Sequence, residues 1–328
     1  MVSAGTGRST WDRLEEEKWA LLRLSVSSST LRVYRTGVRQ LKNFCAQVGV
    51  PVLPLSERVI ENFCGSLSHR VCFATIKVYL SGVQFYSRFF GLPEKICAMV
   101  RLFYVLRGIR RCQGNSWARP PRVPITVPLL KVILRFIYWS FSTYDRCLWE
   151  AVTLLAFFGL LRVSEYTAPS LRQFDSEQAL CIEDVSINFH TSSLSLRIKA
   201  SKTDPFRAGV TLRFSATRHF LCPVRAMIEF LRVRRATTSF LFVFADGSLL
   251  TRSRVSQLLQ AVFPFSHVTT HSFRRGGASV LAQCGMPAYV IQVLGRWRSD
   301  AFMRYLSFSD RFLAAAHGRM ARSDLPNS

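Results

Sequence analysis

The segment that decides the fold of this chain spans residues 271–305 and reads HSFRRGGASVLAQCGMPAYVIQVLGRWRSDAFMRY. Its first chemical groups, His271 and Arg274, are three positions apart and therefore share one face of a helix. Trp297 and Tyr305 follow near its end, eight positions apart. The segment thus contains an imidazole, a guanidinium, an indole and a phenol, all of which can donate hydrogen bonds. Helices are predicted over 271–284, 287–294 and 299–317, and Trp297 lies between the last two.

An arginine and a glutamate follow the longest uncharged apolar run, Ala151–Leu161. This run is much shorter than the roughly 20 residues that cross a bilayer, so it predicts a buried helix. Arg162 comes directly after it in GLLRVSEYTAPS, and Glu165 stands three positions further on. The two side chains are therefore expected to meet.

Two lysines lie in a predicted hairpin loop with the sequence IKASKTDPFRAGVTL. Strand alternation turns Ile198 inward and points Lys199 to solvent. The SKT context favours Lys202 as the reactive ammonium. Lys199 remains its competitor at this point.

The net charge is the strongest feature of the composition. The 328 residues include 44 Lys and Arg against 20 Asp and Glu, a formal net charge of +24. Such an excess destabilises a compact monomer unless a polyanion neutralises it, and cations that bind nucleic acid release its counterions. Nucleic acid is therefore the expected partner. A merely basic surface and membrane-surface binding are the weaker alternatives, and the aromatic signature of common RNA-binding folds is absent from the sequence.

The pattern of residues divides the chain into four segments. Residues 1–10 are small and polar and predict a frayed tail. Residues 11–112 show helical periodicity throughout and predict a helical bundle with basic outer faces. Residues 113–127, QGNSWARPPRVPITV, are too rich in proline for a helix and predict a linker. Residues 128–328 predict a second domain that ends in an amphipathic helix.

The second domain mixes helices with strands. Three stretches alternate apolar and polar residues, as half-buried strands do: Val185/Ile187/Phe189, Leu194/Leu196/Ile198 and Val210/Leu212/Phe214. Helical patterns precede and follow them. The predicted fold class is therefore mostly α with a small antiparallel β-sheet (α+β).

The nine cysteines are odd in number, form no CxxC motif and do not pair with the six histidines at zinc-finger spacing. They are expected to be free thiols in a reducing compartment. Residues 1–19 contain no apolar core of a signal peptide. We therefore expect no metal, no cofactor and a nuclear or otherwise intracellular location.

The order and spacing of these residues resemble the tyrosine recombinase/integrase family over essentially the whole chain. The family shows a His-x-x-Arg motif, a Gly-(His/Trp) element and a tyrosine eight or nine residues further on. Here the string is HSFRRGGASVLAQCGMPAYVIQVLGRW, followed by Tyr305. Arg296 meets the commoner spacing of nine but not the chemistry, so Trp297 is assigned to the element. SKTD, HSFRRGGAS and LGRWRSDAF also resemble recombinases of DIRS/Ngaro-type and Crypton-type transposable elements.

The resemblance implies a SAM-like helical DNA-binding bundle followed by a tyrosine recombinase catalytic domain. It also implies six catalytic residues: Arg162, Lys202, His271, Arg274, Trp297 and Tyr305. Glu165 is expected to orient Arg162 from behind the site.

The implied chemistry agrees with the functional groups present. Two guanidiniums can grip a pentavalent phosphorane bidentately, and His271 and Trp297 add N–H donors to the same oxygens. Lys202 can protonate the 5′ oxygen as general acid, while Tyr305 attacks and becomes a 3′-phosphotyrosine. This bond conserves the energy of the phosphodiester, so neither ATP nor a metal is required.

The resemblance further implies double-stranded DNA as the partner and a homotetramer that acts on two DNA sites. Residues 311–321 predict an amphipathic helix that docks on a neighbouring protomer or on its own domain. Two alternative functions share the same residues: a catalytically inactive DNA-binding protein of the same fold, and a type IB topoisomerase-like enzyme.

Overall fold

The structure is a computed structural model, and it describes residues 9–92, 96–114, 116–117, 122–201, 204, 208–305, 314 and 317–318. The chain divides into two compact units, Met1–Arg119 and Pro120–Ser328. Helices predominate, and the described strands form one three-stranded antiparallel sheet, which confirms the predicted α+β class. Within the described ranges, no helix is both long enough and apolar enough to span a bilayer.

The first unit is a helical bundle with its own apolar core. Its described α-helices are α1 (Thr10–Leu24), α2 (Ser28–Val48), α3 (Glu57–Ser68), α4 (Phe73–Phe89) and α5 (Val100–Gln113). Ile60, Phe63 and Ile76 are fully buried in this core. Helices α2 and α4 cross closely at Gly37, where a Cβ would lie only 2.6 Å from the carbonyl oxygen of Tyr79.

The second unit contains six further α-helices among its described residues. These are α6 (Val127–Ser140), α7 (Thr143–Phe158), α8 (Pro223–Val233), α9 (Arg252–Val262), α10 (Ser272–Gln283) and α11 (Ala288–Gly295). A 3₁₀ turn, Val163–Glu165, follows α7, and a 3₁₀ helix, Asp300–Tyr305, follows α11. The ends of α7 and α11 and the start of α10 lie close together, since Arg274 of α10 donates to the carbonyls of Leu160 and Gly295.

The sheet lies between α7 and α8 in the chain order. Strand β1 (Val185–Asn188) pairs with β2 (Ser193–Ile198), which pairs with β3 (Val210–Ser215), all antiparallel. The predicted alternation holds in β2, where every second residue is buried. Phe189 lies beyond the end of β1 and is 73% exposed, so the apolar face of β1 is shorter than predicted.

The apolar run Ala151–Leu161 is buried as predicted except at Phe158, which is 39% exposed, and it is not helical throughout. Helix α7 ends at Phe158, and Leu160 has a left-handed backbone with φ 47°. Leu160 and Leu161 nevertheless stay buried. The helix therefore stops inside the core, and the carbonyl groups that follow it are available to side chains of the site.

Part of the proline-rich segment belongs structurally to the second unit. The Val123 N–H donates to the carbonyl of His267, and the Ile125 N–H donates to the carbonyl of Ser272, each at 3.1 Å. Ile125 is fully buried. Residues 122–126 therefore pack against the start of α10, whereas the limits predicted for the linker stay a prediction.

Candidate active site

Two adjacent glycines let α10 lie close to its neighbours. A Cβ on Gly276 would meet the carbonyl oxygen of Ile125 at 1.9 Å, and a Cβ on Gly277 would meet that of Phe157 at 2.5 Å. Any larger residue would push α10 away from these backbones. The pair therefore has a packing role, and it sets the depth at which the side chains of α10 enter the site.

Replacing Gly276 by alanine is expected to lower the free energy of unfolding by about 1–3 kcal/mol, because the backbone of Ile125 must shift. Gly65 is a matched control, since it is a helical glycine with open space where its Cβ would lie. Gly65→Ala should be neutral or stabilising by up to about 1 kcal/mol. Urea unfolding of both variants checks this, and equal effects would contradict the packing role.

Arg274 is the central side chain of the site. It is 1% exposed, and its two terminal nitrogens donate to the carbonyl oxygens of Leu160 and Gly295. Its guanidinium carbon lies 4.2 Å from the centre of the Trp297 ring. The end of α7 and the end of α11 thus hold one guanidinium in a fixed orientation.

Trp297 is packed on both faces. One face carries the guanidinium of Arg274, and the other stacks on Phe302 with 5.4 Å between ring centres. A Cβ on Gly295 would lie 1.7 Å from a carbon of the indole. The glycine before the Arg-Trp pair therefore makes room for the ring.

Glu165 joins two arginines. It is 4% exposed, and one of its oxygens accepts from Nη1 of Arg162 at 2.9 Å. Its other oxygen accepts from the backbone N–H of Arg162 at 2.9 Å and lies 3.1 Å from Nη2 of Arg296. Arg162 is also 3.5 Å from the hydroxyl of Ser201. A buried carboxylate thus orients Arg162, as its position three residues away predicted.

Arg296 also belongs to this cluster, although its chemistry in the sequence favoured Trp297 for the Gly-(His/Trp) element. It ends α11 with a left-handed backbone, φ 56°, and its Nη2 donates to the carbonyls of Leu160 at 3.1 Å and Gly159 at 3.3 Å. Leu160 therefore accepts from both Arg274 and Arg296. The spacing of nine residues to Tyr305 was the signal in the sequence that pointed to this residue.

His271 directly precedes α10, and its imidazole is held neutral. Burial lowers the pKa of its imidazole to about 4, and the positive charges of Arg274, Arg122, Arg275 and Arg162 act in the same direction. At neutral pH the ring therefore carries one N–H donor and one acceptor nitrogen. Because both Arg162 and Arg274 act on it, the three side chains lie within electrostatic reach of one another.

The stability of the second unit should depend on pH through His271. Between pH 6.5 and about 4 the unfolded imidazole binds a proton while the folded one stays neutral, so the free energy of unfolding falls as the pH drops through this window. His271→Gln should flatten this part of the profile. Urea unfolding at a series of pH values measures it, and an unchanged slope in the variant would contradict the assignment.

Solved structures resemble the chain over most of its length, although no protein-family model and no curated protein sequence matches it. The XerH site-specific recombinase bound to a palindromic difH substrate has a TM-score of 0.61 at 15% identity, over 89% of this chain and 79% of that one. The Tn1549 transposon integrase in complex with transposon right-end DNA has a TM-score of 0.60 at 15% identity, over 91% and 95%. A lambda integrase dimer bound to a COC′ core site has a TM-score of 0.57 at 13% identity, over 93% and 82%.

The chain has the fold of the tyrosine recombinases. The resemblance inferred from residues 271–305 is therefore confirmed at the level of the fold. The fold brings four of the expected side chains into one cluster: Arg162, His271, Arg274 and Trp297. Glu165 and Arg296 belong to the same cluster.

The expectation for Lys199 was wrong in one respect, because its side chain does not point to open solvent. It is 18% exposed, lies 2.9 Å from a carboxylate oxygen of Asp184 and donates to the carbonyl of Ser176 at 3.0 Å. Burial alone would lower the pKa of Lys199, but the hydrogen bond and charge of Asp184 outweigh burial and raise it. The ammonium of Lys199 is therefore held in an ion pair with Asp184.

Two of the predicted catalytic side chains lie outside what the structure describes. Lys202 lies outside the described residues, and Tyr305 contributes only its backbone, as the last residue of the 3₁₀ helix Asp300–Tyr305. That helix also contains Phe302, which stacks on Trp297. The backbone of Tyr305 is thus three residues from a ring that contacts the cluster, and the catalytic roles of Lys202 and Tyr305 stay predictions.

Proposed function

We propose that this chain is a site-specific DNA recombinase or integrase that cleaves and rejoins DNA through a 3′-phosphotyrosine on Tyr305. One observation carries the proposal: Arg162 and Arg274 are fixed in orientation around a neutral His271. Fixed donors stabilise a transition state better than mobile ones, because they need not reorganise during the reaction. Two guanidiniums and a neutral imidazole that can donate an N–H suit the non-bridging oxygens of a phosphodiester under attack.

The reaction can be written with its atoms balanced. The phenol oxygen of Tyr305 forms a bond to phosphorus and loses its proton to solvent, while the bond from phosphorus to the 5′ oxygen breaks. Lys202 donates the proton that the 5′ oxygen takes up. In rejoining, a 5′ hydroxyl attacks the phosphotyrosine and releases the phenol. One phosphodiester replaces another, so the exchange needs no nucleotide cofactor.

The whole-chain charge supports DNA as the substrate. A net charge of +24 favours phosphate binding through counterion release. The XerH, Tn1549 and lambda structures that share the fold contain DNA. By the same proposal, the chain acts as a tetramer on two DNA sites, in the nucleus or another intracellular compartment. For residues 311–321, most of which lie outside the described residues, docking on a neighbouring protomer or on their own domain stays a prediction.

Covalent trapping tests the proposal. The protein is incubated with supercoiled plasmids that carry random inserts, denatured with detergent, and the DNA that remains attached is sequenced. The parent chain should give detergent-resistant adducts at a defined sequence, and Tyr305→Phe should give none. DNA binding without any adduct would indicate an inactive protein of the same fold. Relaxation without site preference would indicate a type IB topoisomerase-like enzyme.

Lys202→Ala should slow cleavage much more than it weakens DNA binding, because the leaving 5′ oxygen loses its proton donor. A substrate with sulfur in place of that oxygen should restore the rate, since a thiolate leaves without protonation. Lys199→Ala is the matched control. The sulfur substitution should not raise its cleavage rate relative to that of the parent chain, because the ammonium of Lys199 is paired with Asp184. Rescue of Lys199→Ala, and not of Lys202→Ala, would reverse the assignment.

A further inference from the structure

We propose that Arg296 is a third guanidinium that donates to the scissile phosphate, from Nε and Nη1, and that Trp297 serves to position Arg274. This inference rests on the proposed function and deepens it. It concerns the residue that directly follows Gly295, a position at which the family pattern has histidine or tryptophan and this chain has Arg-Trp.

The first observation is a pair of buried donors without an acceptor. Nε and Nη1 of Arg296 are buried and make no hydrogen bond, although the side chain is only 13% exposed. Buried N–H groups of a guanidinium are costly to leave unmatched. Such donors indicate that an acceptor is supplied by a ligand that binds there.

Arg234 shows how a purely structural arginine is treated in the same unit. Its Nε donates to the carbonyl of Leu241, and its terminal nitrogens donate to the carbonyls of Ala236, Thr238 and Phe240, at 2.6 to 3.0 Å. Each of its three nitrogens has a protein acceptor. Arg296 uses only Nη2 in this way. Its Nε and Nη1 have no acceptor in the protein.

The second observation is the place of Arg296 in the cluster. It shares the carboxylate of Glu165 with Arg162 and shares the carbonyl oxygen of Leu160 with Arg274. It therefore lies between the two arginines to which phosphate contact has already been assigned. A phosphate bound by Arg162 and Arg274 would therefore lie within reach of Arg296.

Charge balance points the same way. Glu165 alone would neutralise Arg162 and leave Arg274 as the single uncompensated guanidinium. With Arg296 present, three guanidiniums face one carboxylate, which leaves two positive charges. A phosphodiester attacked by a phenolate carries two negative charges in the transition state, and the guanidinium of Arg296 adds to the positive charge that Arg274 and Lys202 place opposite them.

Both faces of the Trp297 indole contact the protein. Its indole is held between the guanidinium of Arg274 and the ring of Phe302, and it lies directly on the backbone of Gly295. A ring fixed in this way limits the rotation of Arg274. The left-handed backbone at Arg296 sends the two consecutive side chains to different neighbours, Arg296 to Glu165 and Trp297 to Arg274.

The test uses substrates that differ only in charge at the scissile phosphate. DNA of the trapped sequence is made with a normal phosphodiester and with each of the two methylphosphonate diastereomers, in which a methyl group replaces one charged oxygen. Arg296→Met keeps the apolar stem and removes the guanidinium. Arg254→Met is the matched control, because Arg254 also pairs with one carboxylate, Asp246 at 3.2 Å, away from the cluster.

On the phosphodiester, Arg296→Met should cleave about 10²–10³ times more slowly than the parent chain. On one methylphosphonate diastereomer the deficit should shrink to within a few-fold, since the charge that Arg296 neutralises is absent. Arg254→Met should match the parent chain on every substrate. Arg296→Lys should behave like Arg296→Met, because one ammonium paired with Glu165 cannot replace Nε and Nη1; it serves if the methionine variant fails to fold.

Two results would overturn the inference while the proposed function stands. Arg296 variants that cleave the phosphodiester as fast as the parent chain would remove Arg296 from the site. Equal slowing on all substrates would mean that Arg296 acts only by holding Glu165. A parent chain that forms no adduct with any DNA would overturn the proposed function, and this inference with it.

Discussion

Arg274→Ala is expected to abolish DNA strand cleavage and to destabilise the second unit at the same time. The guanidinium is 1% exposed and donates to the carbonyls of Leu160 and Gly295, so its loss removes two buried hydrogen bonds, although the Leu160 carbonyl keeps its bond from Arg296. It also leaves a cavity on the face of Trp297. Together these effects should lower the free energy of unfolding by about 3 kcal/mol.

The effect on chemistry should be larger still. Loss of one preorganised donor to a transition-state oxygen lowers the rate by about 10²–10³, and here the stacking on Trp297 is lost as well. Arg274→Lys keeps the charge but not the planar fork, so it should restore little of the rate. Single-turnover cleavage and urea unfolding measure the two effects. Cleavage at the parent rate by Arg274→Ala would contradict the central place given to this residue.

Glu165→Ala should have the second largest effect. Glu165 is the carboxylate that Arg162 and Arg296 share, and its side chain is fully buried at the ion pair. Removing one partner of a buried pair costs about 3–5 kcal/mol, because the remaining charges stay buried without compensation. The two guanidiniums would then repel each other, and Arg162 would lose the contact that orients it.

Glu229 provides a control of the same geometry. It pairs with Arg232 three residues away at 2.9 Å, the same separation and distance as Glu165 and Arg162, but both side chains of this pair are exposed. Glu229→Ala should therefore cost less than about 1 kcal/mol. Cleavage by Glu165→Ala should fall sharply while salt-dependent DNA binding stays near that of the parent chain. Equal destabilisation by the two alanine variants would contradict a buried ionic cluster.

The sequence predicted helices and strands well where the periodic spacing of residues determines them. The alternation of Leu194, Leu196 and Ile198 predicted β2, and the spacing of Arg162 and Glu165 predicted their contact. The end of α7 was beyond such reasoning. An apolar run that continues into a buried, non-helical turn has the same composition as a longer helix, so Leu160 and Leu161 looked helical.

The environment of single side chains depended on contacts that are distant in sequence. Alternation correctly placed Ile198 inward, but it could not show that Asp184, fifteen residues earlier, would pair with Lys199. The role of Arg296 depended on a left-handed backbone and on a carboxylate more than a hundred residues away. Both are products of tertiary packing, and local periodicity carries no information about them.

The most direct test of the central claim is to identify the residue and the DNA end that are joined in the trapped adduct. The adduct is digested with nuclease and protease, and the nucleotide-linked peptide is sequenced by mass spectrometry. We predict a 3′ nucleotide on the phenol oxygen of Tyr305, in the peptide that follows Arg304. A nucleotide on any other residue, or a link to the 5′ end of the DNA, would contradict the account.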